Sequence, residues 1–170
     1  MEANMKRADA IGRNPVFRGH LGRIDAAEED RAFCRHGLPH LLDVARIAWI
    51  LNLERTCGLR KDVVYAAALL HDIGRSEQYA TGEDHDVAGV RIAGEVLDDL
   101  PEALRFDPLE RASILAAVAR HRTARDDEWE GEVLIPLIEQ ADHLSRPCYA
   151  CAAREACYWP RERKNLTLGI

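Results

Sequence analysis

The sequence predicts an all-α fold, and three observations carry that expectation. Apolar residues recur at helical spacing through several long stretches, Asp and Pro stand where helices begin, and strand signals are almost absent, leaving only 166–170 as a candidate extended segment. With 170 residues the chain is long enough to bury a core and too short for two ordinary ones, so a single domain over 1–170 is expected. Residues 1–24 carry Gly12, Pro15, Gly19 and Gly22 without clear periodicity and read as an irregular lead-in, after which 25–34 suits a short helix. The first long helix starts near Pro39, because His40, Val44, Ile47 and Leu51 keep one face, and it ends near Asn52.

Residues 62–71 are apolar nearly all round and predict the central buried helix, stopped by Gly74. Asp84 suits the N-cap of a third main helix through Leu97, with Pro101 just beyond it. The fourth has the clearest start: Asp107 as N-cap, Pro108 at the first position and Glu110 in capping-box spacing, with an end near Arg120. The fifth covers roughly 132–145, where Pro136 is tolerable only in the first turn.

Composition excludes several classes. At 47% apolar and 31% charged, the chain lies far from the disordered regime. No apolar run approaches the roughly 18 to 20 residues of a membrane span, and residues 1–9 alternate charged and small side chains instead of leading into a signal-peptide core, so a cytoplasmic protein is expected. The net charge of −6 opposes nucleic acid as a partner, although a local arginine cluster can still take a small anion.

The functional signal lies in the histidines. Of seven, four fall at or near helix ends beside apolar faces: His40, His71, His85 and His121. A lone buried His is usually a hydrogen-bonded core residue, so the order of the set carries the weight. His71 and Asp72 are adjacent, about 100° apart around a helix, and reach one ion only near the helix end, where other helices can add ligands. His40 heads one apolar stripe and Asp142 follows Ile138 at helical spacing, so both point toward the core. Imidazole with carboxylate suits manganese, iron, zinc, nickel or cobalt. His36, one turn before His40, reads as a wall residue, His143 as facing solvent or substrate, and His20 carries no assignment. The acidic run Asp126, Asp127, Glu128 and Glu130 reads as a solvated loop.

In this order the residues resemble the HD-domain superfamily of metal-dependent phosphohydrolases. The doublet stands in Ala67-Ala68-Leu69-Leu70-His71-Asp72-Ile73-Gly74-Arg75, preceded by His40-Leu41-Leu42-Asp43-Val44-Ala45 and followed by Gln140-Ala141-Asp142. The likeness covers about 33–146, leaving 147–170 as a Cys-rich C-terminal extension. It implies a core of five main helices and a first metal held by His40, His71, Asp72 and Asp142. In the dinuclear branch of the superfamily, the places of His85 and His121 hold a second ion, and Asp72 bridges the two. That branch implies one or, more in keeping with this set, two divalent ions (Fe, Mn, Ni, Co, Zn or Mg). The implied reaction is hydrolysis of a nucleotide or other small phosphate ester by a metal-activated hydroxide, with Asp72 and Arg75 catalytic. Arg75, three residues after the doublet, and Arg146, four after Asp142, are spaced to bind substrate phosphate at the rim; Arg120 and Arg122 are weaker candidates. The family often has Lys where Arg75 stands, and Arg keeps the charge but cannot pass a proton. The same ligands also serve di-iron oxygenases, and a non-catalytic nucleotide-binding module is a further alternative. Oligomerisation is left open.

Five cysteines, an odd number, argue against a disulfide scaffold. Cys148, Cys151 and Cys157 supply three thiols in ten residues, one short of a closed structural zinc site or iron–sulfur cluster. If His40 and Asp142 share an ion on antiparallel helices, Cys34 and Cys148, each six residues away, emerge at one end, which makes Cys34 the best fourth ligand. Cys57 fits poorly. The alternative is that all five act as small buried apolar groups.

Overall fold

The computed structural model describes residues 5–123 and 129–168, and these form eight α-helices with no strand among them. In chain order they are α1 (Lys6–Arg13), α2 (Pro15–Ala27), α3 (Leu38–Glu54), α4 (Lys61–Leu70), α5 (Arg75–Thr81), α6 (His85–Asp98), α7 (Pro108–Arg120) and α8 (Leu134–Leu144). The fold is all-α, as the sequence predicts. None of the helices is long and apolar enough to cross a membrane.

The five main helices stand where periodicity and caps put them. The start of α7 is a full capping box: the Asp107 carboxylate accepts from the backbone of Leu109 and Glu110, and the Glu110 side chain accepts from Asp107 N. Asp84 caps α6, and Pro136 falls in the first turn of α8, where its missing N–H costs nothing. The apolar helix α4 is central, packed against α1, α3, α7 and α8. Its Val63, Val64, Ala66, Ala67, Ala68, Leu69 and Leu70 are all buried.

The first 37 residues differ from expectation. Residues 6–27 are helical, not irregular. Asn14 caps α2 by accepting from Val16 N and Phe17 N, Pro15 pre-sets its first turn, and Phe17, His20 and Ile24 form its buried stripe. Gly19 and Gly22, which look like breakers, simply lie on the exposed face. The short helix expected over 25–34 is absent. The chain leaves α2 at Ala27 because Glu28 turns inward, buried, to bind His36 and Tyr79, and this fixes 28–37 in an irregular course. α4 ends at Leu70, and Gly74, expected to stop it, has right-handed helical backbone and serves as the N-cap of the extra helix α5. Residues 166–168 are not in a strand; 169–170 and the acidic residues 126–128 lie outside the described residues.

Two arrangements set the bundle's register. Arg7 on α1 donates to Asp62 Oδ2 and Glu110 Oε2, both at 2.6 Å, and so clamps the starts of α4 and α7 together. At the other end Gly74 lies against the backbone of His85 and Gly89, so closely that a Cβ there would clash with main-chain atoms. This contact seats the first turn of α6 beside the end of α4. Gly74→Ala is expected to lower stability by roughly 1–3 kcal/mol through that clash, whereas Gly19→Ala, with open space around it, gains up to about 1 kcal/mol from helix propensity; urea unfolding of both variants checks the contrast.

Candidate metal centre

Five helices contribute to one point. His40 comes from the first turn of α3, His71 and Asp72 from the end of α4, His85 from the first residue of α6, His121 from the C-cap of α7, and Asp142 from α8. Besides Asp84, His85 and Asp86 at the start of α6, two groups among the described residues have donor atoms within 4.8 Å of one another: His40, His71, Asp72 and Asp142, and Asp72, His85 and His121. Asp72 belongs to both, and its two oxygens divide the work. Oδ2 faces His71 Nε2 at 3.3 Å and His40 Nε2 at 3.6 Å, while Oδ1 faces His85 Nε2 and His121 Nε2, each at 3.6 Å. Asp142 Oδ1 stands 3.4 Å from His40 Nε2 and 4.0 Å from His71 Nε2.

The rings are held from behind. His71 Nδ1 lies 2.7 Å from Ala68 O, and His121 Nδ1 lies 2.9 Å from Val118 O. Each carbonyl is one left free in the last turn of the preceding helix, and accepting from Nδ1–H leaves the Nε2 lone pair aimed forward. That lone pair meets a carboxylate, also an acceptor. Nε2 of His40, His71, His85 and His121 and both oxygens of Asp72 are buried without a directed hydrogen bond. Acceptors packed against acceptors repel unless a cation or protons lie between them. The donor set therefore fits divalent metal: nitrogen and oxygen ligands, spaced as atoms about 2.0–2.2 Å from a shared ion are spaced.

Burial pushes the Asp72 carboxyl up, but the Arg75 guanidinium, joined by His71 whenever that ring is protonated, outweighs it and holds it well below the usual range. Arg75 Nε is 2.8 Å from Asp72 Oδ1. Burial likewise raises Asp142, and His71 and Arg146 bring it down. Arg146 lies on the rim as expected, yet its guanidinium is already engaged, with Nη2 at 3.0 and 2.9 Å from the two oxygens of Asp142.

Three residues near the centre carry no sequence signal that spacing could expose. Asp86 Oδ1 lies 3.0 Å from His85 Nε2. Glu28 accepts from the His36 ring and backbone and from the Tyr79 hydroxyl, and His36 in turn points Nε2 at Asp72 Oδ2 from 4.0 Å. Burial lowers His36 against the pull of Glu28, and its Nδ1–H donates to the Glu28 carboxylate. Burial and the bond to Glu28 push Tyr79 up to about 12.

The centre opens into a cleft of about 410 Å³, lined by His36, His85, His121 and Asp142 and by five arginines: Arg31, Arg75, Arg122, Arg146 and Arg163. Arg120 instead reaches Glu132. His143 neither coordinates nor stands free: its Nε2 bonds Arg163 O at 2.9 Å and its ring stacks on Trp159. His20 binds Ser76, joining α2 to α5. Cys34, Cys148, Cys151 and Cys157 all line a neighbouring cavity, Cys57 does not, and all five thiols are free and half-buried instead of serving as core.

A helical bundle that converges four imidazoles and two carboxylates on one buried point, with the doublet at the end of its central helix, belongs to the class of helical His/Asp metal-site proteins. Residues 37–157 match the HD domain family, and the chain belongs to that family. An uncharacterized protein of Clostridium beijerinckii (strain ATCC 51743 / NCIMB 8052) is 35% identical over 164 residues, covering 96% of this chain and 99% of the relative. No solved structure matches significantly.

The Glu28 cage carries a pH signature. Burial raises its carboxyl, but the hydrogen bonds from His36 and Tyr79 prevail and hold it at about 2, against 4.5 for a free glutamate. As pH falls the unfolded chain takes the proton first, so Glu28's stabilisation is complete above pH 4.5 and lost on the way to about pH 2. In urea unfolding, the stability gap between wild type and Glu28→Gln is expected to narrow across that window.

Proposed function

We propose that the chain is a metal-dependent phosphohydrolase acting on a nucleotide or another small phosphate ester. The observation that carries this reading is the divided carboxylate of Asp72, one oxygen toward His40 and His71 and the other toward His85 and His121. His40, His71, Asp72 and Asp142 would hold one ion, and Asp72, His85 and His121 a second. Such ions supply an activated water at neutral pH and neutralise phosphate oxygens.

The remaining work falls to the chain's own side chains. Arg75, beside Asp72 and lining the cleft, is placed to pair with a phosphate oxygen as charge develops. Arg146 orients Asp142 and adds positive charge at the rim. The His36 ring, tied to Glu28 through Nδ1, lines the cleft with Nε2 4.0 Å from Asp72 Oδ2, where it is placed to accept a proton. Arg75 cannot share that task, because its guanidinium keeps its proton; burial lowers it, and the neighbouring Asp72 charge more than restores it. An arginine-lined cleft on a chain of net charge −6 favours an anionic substrate.

Asp72→Ala removes a ligand common to both groups and is expected to abolish phosphatase turnover and most bound metal while circular dichroism stays helical. Near-native metal content with turnover intact would refute the hydrolase reading. His85→Ala and His121→Ala are each expected to lower metal from about two ions per chain toward one, read by elemental analysis. The screen of phosphate esters should be run with and without air: turnover only in air, with loss of dioxygen, would place the chain with di-iron oxygenases instead.

Arg75→Lys keeps the charge and loses the planar fork, so an intermediate defect is expected, with Arg75→Ala lower still. Equal turnover in the three proteins would remove Arg75 from the site.

A further inference from the structure

The C-terminal segment presents a physical problem. Residues 147–168 contain no α-helix, only the short 3-10 turns Cys148–Ala150 and Arg161–Arg163, and none of them is buried. They nonetheless form a wall of the metal-centre cleft, contributing Cys148, Cys157, Tyr158, Trp159 and Arg163. What holds this wall is mostly polar. Lys164 Nζ donates to Arg154 O and Cys157 O, and Asn165 Nδ2 donates to His143 O and Arg146 O. Trp159 lies against His143, Arg146 and Arg163. A loop of this length without a core of its own needs a cross-link to keep one conformation.

We propose that Cys34, Cys148, Cys151 and Cys157 hold an iron–sulfur cluster that fastens residues 147–165 to the chain just ahead of α3. The four thiols line one cavity of about 300 Å³, and they come from two places more than a hundred residues apart in sequence. No disulfide joins them. Cys151 N closes a turn onto Cys148 O, Arg31 Nε donates to Cys34 O and Lys164 Nζ to Cys157 O, so all four positions are tied through their backbone.

The spacing of the thiols favours a cluster over a single ion. The groups sized for one ion among the described residues are made of His and Asp, whereas the thiols surround a space. A lone zinc, with Zn–S bonds of about 2.3 Å, would need all four sulfurs drawn in around one point. Both common cluster types take four cysteine ligands. The charge agrees: Arg35, Arg146, Arg154 and Lys164 line the cavity with Asp43 as the acid, an environment suited to a cluster made net negative by four thiolates. Each thiol gives up its proton as its iron–sulfur bond forms, and inorganic sulfide and iron are taken from outside the chain, the iron as ferric ions for a two-iron cluster or as ferric and ferrous ions in equal parts for a four-iron cluster, so that assembly needs no electron transfer.

The test uses the full chain purified without oxygen and reconstituted with sulfide and either ferric iron or ferric and ferrous iron in equal parts, then desalted. Acid-labile sulfide is the readout, since the His/Asp centre can bind iron but holds no sulfide. About two or four sulfides per chain are expected, together with visible absorbance that dithionite bleaches. Cys57→Ser should retain this and Cys34→Ser and Cys151→Ser should lose it. Limited proteolysis should cut the cluster-free chain within 147–165 and spare the loaded one. Wild-type protein that retains no sulfide overturns the proposal even if the variants fail to fold. So does one zinc per chain with four protected thiols, or equal sulfide in Cys34→Ser and Cys57→Ser.

Discussion

A carboxylate enclosed by the Nε2 atoms of four imidazoles is the constraint around which this bundle is built. Asp72 is fully buried, with neither oxygen in a directed hydrogen bond, a situation costing several kcal/mol if nothing positive stands nearby. The surrounding structure answers it. Arg75 follows one turn later with its guanidinium against Oδ1, and the histidine rings are turned so that each Nε2 faces one or other oxygen. An apolar α4, packed on four neighbours, carries the doublet to the interior. Gly74 then lets the backbone of α6 come close enough to supply His85.

The five main helices were legible because each announces itself locally: Asp107 with Glu110, Asp84, Pro39 and the unbroken apolar run of α4 are read without knowing the fold. The two N-terminal helices were hidden by Gly12, Gly19 and Gly22, whose local cost is outweighed by Ile11, Phe17 and Ile24 reaching the common core. The candidate metal ligands His40, His71, Asp72, His85, His121 and Asp142 were legible as an ordered set because each sits at a helix end or on an apolar face, and the fold brings all six together. Glu28, Tyr79 and Asp86 were not. A buried glutamate that bonds a histidine eight residues on and a tyrosine fifty-one residues on follows no helical period, so only the folded chain reveals it.

Charge is segregated in a way that composition conceals. The chain is acidic overall, yet the cleft is faced by arginines from the 28–37 segment, α5, the end of α7, the end of α8 and the C-terminal wall. Asp72 and Asp142 are already matched within the centre, Asp72 by Arg75 and Asp142 by Arg146, so the surplus positive field is directed outward along the cleft. An incoming anion is drawn toward the opening and like-charged macromolecules are turned away by the rest of the surface, a division that favours small ligands.

The suspension of His71 and His121 from the carbonyls of Ala68 and Val118 joins metal affinity to the integrity of two helix ends. Those terminal turns are where an α-helix otherwise frays, because their carbonyls lack partners along the chain. An ion that binds only when both rings are in place withdraws the frayed conformers by mass action, so apparent stability rises with the logarithm of free metal once its dissociation constant is exceeded. Amide hydrogens at the ends of α4 and α7 would then exchange more slowly in the loaded protein than in the empty one, while the start of α7, closed by its own capping box, would exchange alike in both.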